Sequence, residues 1–223
     1  RQIDTFRDFG INDITIIVGY KAEKITFKDV KYYKNLEFEK TNMVESLMCA
    51  EKEMKGDCII TYSDLVLDNN LIEKLISSDL DIGVTVDKTF EEYWKERLGS
   101  NYLDDMESLV MEEERIVGIG KPNPSPSEID GRYVGAIKFS KNGIKSLLMT
   151  YKNHKYQGSL NAVGNRNFEN WHMTDLLQAL IDDGQLVSPI ITCNGWLEFD
   201  TDNDFELYTK WYKNNNLDRF VNL

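Results

Sequence analysis

The sequence predicts a three-layer α/β fold around a mostly parallel mixed sheet, and three observations lead to it. Short β-branched apolar runs alternate along the chain with segments of helical period, the pattern of strand–helix–strand units. Two of those runs, residues 14–18 and 58–61, are almost wholly apolar, as strands covered by helices on both faces are. Beyond the end of the second run stands Asp64, and open α/β sheets keep their chemistry at the carboxyl ends of their strands.

Composition fits that class. The chain has 223 residues, 41% hydrophobic and 11% aromatic, enough for a continuous core, and reads as one domain over 1–223. A net charge of −12 opposes binding to nucleic acid or an anionic membrane, both of which need a basic face. A small anionic substrate remains compatible, because a divalent metal and a few cations can reverse the field inside one cleft. Cys49, Cys58 and Cys193 are far apart and read as reduced core thiols, which with the lack of a leader or a spanning apolar run gives a cytoplasmic expectation. His154 and His172 are too few for a zinc cluster.

In order, residues 1–9 read as helix with Ile3 and Phe6 on one face and Gly10 placed to end it. The strand at 14–18 and a short helix at 22–25 make a first βα unit, and a short strand at 31–33 follows. From Thr41 a helix opens whose Met, Leu and Ala positions keep helical spacing through Met54. After the central strand come a helix at 71–77, a strand at 81–86, and an aromatic, charged stretch at 89–99 that should cover the open end of the sheet. Residues 108–111 and 115–119 form a hairpin across Glu112, Glu113 and Glu114; 121–130 is a loop and 133–139 a strand. A helix at 143–151, a polar loop at 153–167, a helix at 171–182 capped by Asn170 or Thr174, a strand at 187–191 and a terminal helix at 207–216 complete the alternation.

Candidate site residues come from this map. Asp64 has the plain alternative of capping the helix near Leu71. Near the C-terminus, alternation through 196–200 puts Glu198 and Asp200 on one face, with an ordinary turn as the plain alternative for Asp200. Together the two aspartates suit Mg2+, which takes few protein oxygens and completes its octahedron with water and phosphate. Thr41, Asn42 and Ser46 open a helix, where hydroxyls, amides and free N–H groups meet ligands, although capping alone explains one or two of them. Lys121 leaves the hairpin strand toward a cleft, with a solvated surface lysine as its alternative.

The segments Phe9-Gly10-Ile11-Asn12-Asp13-Ile14 with Val18-Gly19-Tyr20, Thr41-Asn42 with Ser46-Leu47, Ser63-Asp64, Gly120-Lys121, Tyr133-Val134-Gly135, Thr174-Asp175-Leu176-Leu177 and Trp196-Leu197-Glu198-Phe199-Asp200-Thr201, in this order, carry a likeness over nearly the whole chain. It resembles the nucleotidyltransferases that activate sugar phosphates and phosphocholine, nearest in flavour to the CTP:phosphocholine and aminoethylphosphonate cytidylyltransferases. The resemblance implies a Rossmann-like nucleotidyltransferase fold. Such enzymes open with a strand and a glycine-rich phosphate loop followed by Lys-Pro; these are missing here, so the domain reads as N-terminally incomplete.

What the resemblance implies is attack by a phosphate or phosphonate oxygen on the α-phosphorus of a nucleoside triphosphate, CTP by the nearest branch, with pyrophosphate leaving. Asp64 and Asp200 would hold Mg2+, Lys121 would neutralise charge on the reacting phosphate, and Thr41, Asn42, Ser46 and Ser63 would bind the nucleotide. Arg97, Tyr133, Trp171, Asp175 and Glu198 would surround an acceptor such as phosphocholine or 2-aminoethylphosphonate, the amine held by aromatic faces or carboxylates. A sugar-1-phosphate nucleotidyltransferase is the nearest alternative. A metal-dependent glycosyltransferase would show a close Asp-x-Asp pair, which Tyr62-Ser63-Asp64 is not, and a binding module that lost the phosphate loop is the non-enzymatic alternative.

Overall fold

The computed structural model describes residues 1–158 and 166–223. Its centre is a four-stranded sheet in the order β3 (Cys58–Thr61), β8 (Arg132–Phe139), β5 (Ile82–Asp87), β9 (Ser188–Thr192). β5 and β9 are parallel, and β8 runs antiparallel to both β3 and β5, so three of the four strands share one direction. A parallel pair, β1 (Thr15–Val18) with β2 (Lys31–Lys34), and two antiparallel pairs, β4 (Leu65–Leu67) with β10 (Trp196–Glu198) and β6 (Glu107–Glu112) with β7 (Arg115–Pro122), surround it.

Period-two alternation on β8 explains the three layers. Ile137 and Phe139 point into one core, with α2 (Met43–Met48), α5 (Lys141–Gln157), α6 (Met173–Asp182) and the β6–β7 hairpin. Val134 and Ala136 point into the other, with α1 (Gln2–Asp8), α3 (Asn69–Ser77), α4 (Phe90–Leu98), α7 (Asp202–Lys213) and the β4–β10 ribbon. Each buried Leu or Ile on these faces contributes about 1.5–3 kcal/mol, which makes the double burial of β8 and β5 the main cohesion of the sheet.

Several sequence expectations change in detail. β3 lies at an edge of the sheet and is only half-buried, so the strand buried on both faces is β8, together with β5. Residues 65–67, for which the sequence predicts no element, form a strand of their own because they pair with β10. The helix from Thr41 stops at Met48, and a single 3-10 turn, Glu51–Glu53, replaces its continuation. The polar stretch from Asn153 is helix as far as Gln157, because its charged side chains lie on the solvent side of α5 and Gly158 ends it in the left-handed conformation; the rest of that expected loop, 159–165, lies outside the described residues. The cap of α6 is His172, whose N–H donates to Asp175 Oδ2 at 2.8 Å, rather than Asn170 or Thr174. Along 89–99 the helix is far from merely solvated, since Phe90, Tyr93 and Trp94 are buried.

One glycine conditions the geometry near the cleft. Between Val84–Ile137 and Val86–Tyr133 the β5–β8 register shifts, and Gly135 sits in that irregularity at φ +86°, where a Cβ would lie 2.6 Å from the Tyr62 ring. Gly135→Ala therefore combines left-handed strain with overpacking, and we expect a loss on the order of 2–4 kcal/mol in urea unfolding. A loss below about 0.5 kcal/mol would mean that the bulge is not needed.

Candidate active site

The site is built where β4 meets β10. Leu65 pairs with Glu198, and just beyond, the Phe199 N–H donates to the Asp64 carbonyl at 3.0 Å, which sets Asp64 and Asp200 on either side of one backbone bridge. Asp68, not Asp64, caps α3: its Oδ1 accepts from the Leu71 N–H at 2.9 Å, so the capping role is already filled. Asp64 Oδ1 is buried and has no hydrogen-bond partner. Burial raises the Asp64 pKa, and the charge of Asp200 adds to the shift.

Arg97, from the last turn of α4, organises the carboxylates. Its side chain is 3% exposed and grips Asp204 bidentately, Nε to Oδ1 at 2.7 Å and Nη2 to Oδ2 at 2.9 Å. Nη2 also donates to Asp200 at 2.6 Å, and Nη1 lies 3.5 Å from Glu198. Burial works against the ionisation of Asp204, but Arg97 and the Thr201 N–H outweigh it and hold the carboxyl down at about 2. Glu198 is shifted up by burial and by its interaction with Asp200, while Asp200 is shifted down, against its own burial, by its contacts with Glu198 and Arg97.

The β10 backbone is fixed from beneath by tyrosines. The Glu198 N–H donates to the Tyr93 hydroxyl at 3.0 Å, and the Tyr208 hydroxyl donates to the Glu198 carbonyl at 2.8 Å. The Tyr208 hydrogen is thereby used, so Tyr93 is the donor in the 2.6 Å contact between the two hydroxyls. Trp196 Nε1 donates to the buried Asp87 at the end of β5, which ties the ribbon to the main sheet.

The other expected residues divide by position. Tyr133 and Glu198 line a cavity of about 210 Å³ beside the hairpin. Lys121 has its N–H on Ser108 of that cavity, but its side chain is 54% exposed and pairs with Glu128 at 2.6 Å. Thr41 and Ser46 are drawn together by the buried Asn35, whose Nδ2 donates to both hydroxyl oxygens at 2.9 Å. Asn42 caps α2, and Ser63 is exposed in the turn before Asp64. Arg97 is spent on carboxylates rather than open to an acceptor. Trp171, 1% exposed, packs against Phe168 in the core, and the buried Asp175 pairs with Arg166 at 3.0 Å while completing the α6 cap.

Residues outside the expected set matter as much. Thr201 and Asp204 form a Thr-x-x-Asp capping box, a signal present in the sequence, whereas Arg132, Glu107 and Asn35 carry none and are revealed only by contacts across the fold. Among the described residues no group of three or more His, Cys, Asp or Glu is arranged to hold a metal. Two carboxylates, one with an unpartnered buried oxygen, still fit an ion such as Mg2+ that draws most of its ligands from water and phosphate.

The role of Arg97 can be measured. Arg97→Met leaves Asp204 buried without its counter-charge and should cost about 3–5 kcal/mol in urea unfolding. A loss under about 1 kcal/mol, with only the acceptor KM raised, would return Arg97 to an acceptor contact.

No family model matches the chain. Among curated proteins it is similar to a CTP:phosphoglutamine cytidylyltransferase of Campylobacter jejuni, 31% identical over 217 residues that cover 92% of this chain and 84% of that protein. Among solved structures, the inositol-1-phosphate CTP transferase of T. maritima superposes with a TM-score of 0.66 at 16% identity, covering 98% of this chain and 82% of its own. The CTP:phosphocholine cytidylyltransferase of Streptococcus pneumoniae gives the same TM-score and identity over 95% of this chain and 83% of its own. Among the described residues no helix is long and apolar enough to cross a membrane. The structures share the fold and the curated relative shares the sequence over nearly the whole chain, so this protein belongs to the nucleotidyltransferase family, in its cytidylyltransferase branch.

Proposed function

We propose that the enzyme transfers the cytidylyl group of CTP to a small phosphorylated or phosphonate acceptor that carries an amine, in a Mg2+-dependent reaction that releases pyrophosphate. The observation that carries this reading is the unpartnered buried oxygen of Asp64 beside Asp200. An acceptor oxygen attacks the α-phosphorus, a new P–O bond forms, and pyrophosphate leaves with the electrons of the broken bond. The acceptor phosphate is already ionised, so no general base is required, and positioning and charge neutralisation do the work. Asp64 and Asp200 would hold Mg2+, which would supply charge neutralisation between the two reacting phosphates. Arg97 keeps Asp200 ionised and aimed, and Lys121 supplies a second cation once it exchanges Glu128 for substrate phosphate.

The choice of acceptor class has two supports. Phosphoglutamine and phosphocholine, named for the curated relative and one solved neighbour, are phosphorylated and carry a cationic nitrogen, an amine in the first and a quaternary ammonium in the second. The polar part of the cavity lining is mainly charged, with Glu107, Arg132 and Glu198, whereas a sugar presents hydroxyls and calls for more amide partners. Thr41, Asn42, Ser46 and Ser63 are assigned to the nucleotide, phosphocholine, 2-aminoethylphosphonate and phosphoglutamine are the acceptors to compare, and a cytoplasmic setting completes the reading.

Pyrophosphate release from CTP with each of these acceptors and with glucose 1-phosphate tests the proposal, and a preference for the sugar phosphate would overturn the acceptor class. Asp64→Asn should lower turnover on the order of 10²-fold or more without lowering the melting temperature, since removing a half-buried charge relieves its desolvation. Turnover within a few-fold of wild type would remove Asp64 from the site. Lys121→Met should lower kcat, whereas Glu128→Gln, which frees the lysine, should not; an unaffected kcat in the lysine variant would make it a surface residue.

A further inference from the structure

We infer that the cavity between the hairpin and β8 seats a zwitterionic head, Arg132 taking a carboxylate of the acceptor and Glu107 its ammonium, which makes the acceptor a phosphorylated amino acid rather than a phosphorylated simple amine. The inference rests on the nucleotidyl-transfer reading above and narrows its acceptor.

Arg132 is held in an unusual way for a buried cation. Its Cζ lies 3.5 Å from the Trp94 ring centroid, so the guanidinium is placed by an aromatic face rather than by a matching carboxylate. Its contacts are long for charge-assisted bonds: Nη2 to Asp105 Oδ2 and Nη1 to the Asp105 carbonyl, both at 3.2 Å, with Met106 Sδ at 3.4 Å. Asp105 is itself 57% exposed, and Arg132 Nε is buried without any acceptor. A planar fork with an unused donor beside a cavity suits a ligand carboxylate, which accepts two parallel N–H bonds.

The opposite charge stands on the neighbouring strand. Glu107 lines the same cavity near the Thr174 hydroxyl, and burial raises its pKa despite the nearby charges of Arg166 and Arg132, so a bound ammonium would add a counter-charge inside the cavity itself. Glu198 closes the end nearest Asp200. A phosphate placed in the cavity would face Asp105, Glu107 and Glu198 against one arginine; a head bearing one charge of each sign meets a partner for both. With its amino acid end at Arg132 and Glu107, the acceptor would direct its phosphate past Glu198 to Asp64 and Asp200.

Calorimetric titration with phosphoglutamine and two analogues, one without the α-carboxylate and one without the α-amine, tests the assignment independently of turnover. Wild type should bind each analogue about tenfold or more weakly than the parent compound. Arg132→Met should lose a similar factor for the parent and nothing further for the analogue without the carboxylate, while Glu107→Gln should behave likewise toward the amine. CTP affinity should be unchanged in both variants, and Arg132→Lys, which keeps the charge but loses the fork, serves if the methionine variant does not fold. Equal affinity for all three compounds, no binding of phosphoglutamine, or an Arg132 effect of the same size on every acceptor would overturn the assignment, the last by giving the arginine to the phosphate. Binding in the expected pattern without pyrophosphate release from CTP would instead sink the transfer reaction and leave this head-group site standing.

Discussion

The guanidinium of Arg97 is the constraint on which the rest of the site depends. Three acidic residues, Glu198, Asp200 and Asp204, lie within seven positions of one another at the end of β10 and the start of α7, and without a buried cation their mutual repulsion would oppose that turn. Arg97 answers all three from a different helix, and it can reach them because Tyr93 and Trp94, one turn earlier on α4, pack into the aromatic cluster with Trp196. Packing thus sets the arginine, and the arginine sets the carboxylates. The desolvation of Arg97 is offset by a bidentate partner in Asp204, which accepts from backbone N–H groups as well.

That arrangement also explains how an acidic protein can present a site for anions. The net charge of −12 belongs to the chain as a whole, whereas in the cleft the carboxylates are partly neutralised by Arg97 and by Arg132, which shares a cavity with Glu198. Asp64 is the exception, with an unpartnered oxygen and a raised pKa. A buried acceptor left unmade in this way is costly, and such costs persist where something else meets them.

The fold separates the general from the particular. The solved neighbours carry the same architecture with differently named acceptors, inositol 1-phosphate and phosphocholine, so the sheet and its ribbon do not define an acceptor. In this chain the part able to vary is the wall made by the hairpin and the start of β8, where Glu107, Ser108 and Arg132 lie. Gly135 lets β8 bend at that wall, bringing Tyr133 within 3.3 Å of the Tyr62 hydroxyl, while Ile137 and Phe139 continue in the core.

Much of this was legible in the sequence, because strands and helices announce themselves through local periodicity. The runs that became β1, β5, β8 and β9 and the helices α1, α3 and α6 follow from apolar spacing, and the placing of Asp64 and Asp200 after strand-like runs follows from where such runs end. The sequence by itself therefore determined the α/β alternation, the family resemblance and which two carboxylates to watch. Only the tertiary structure decided that β3 lies at an edge, that residues 65–67 are a strand, that Lys121 rests on Glu128, and that Trp171 and Asp175 are interior. It also decided the partners that no spacing reveals: Arg97 with Asp204 across 107 positions, and Arg132 with Trp94 and Asp105. The physical reason is common to all of these. Periodicity records which side of an element is apolar, but the charge that a polar side chain meets is set by elements distant in the chain and close in space.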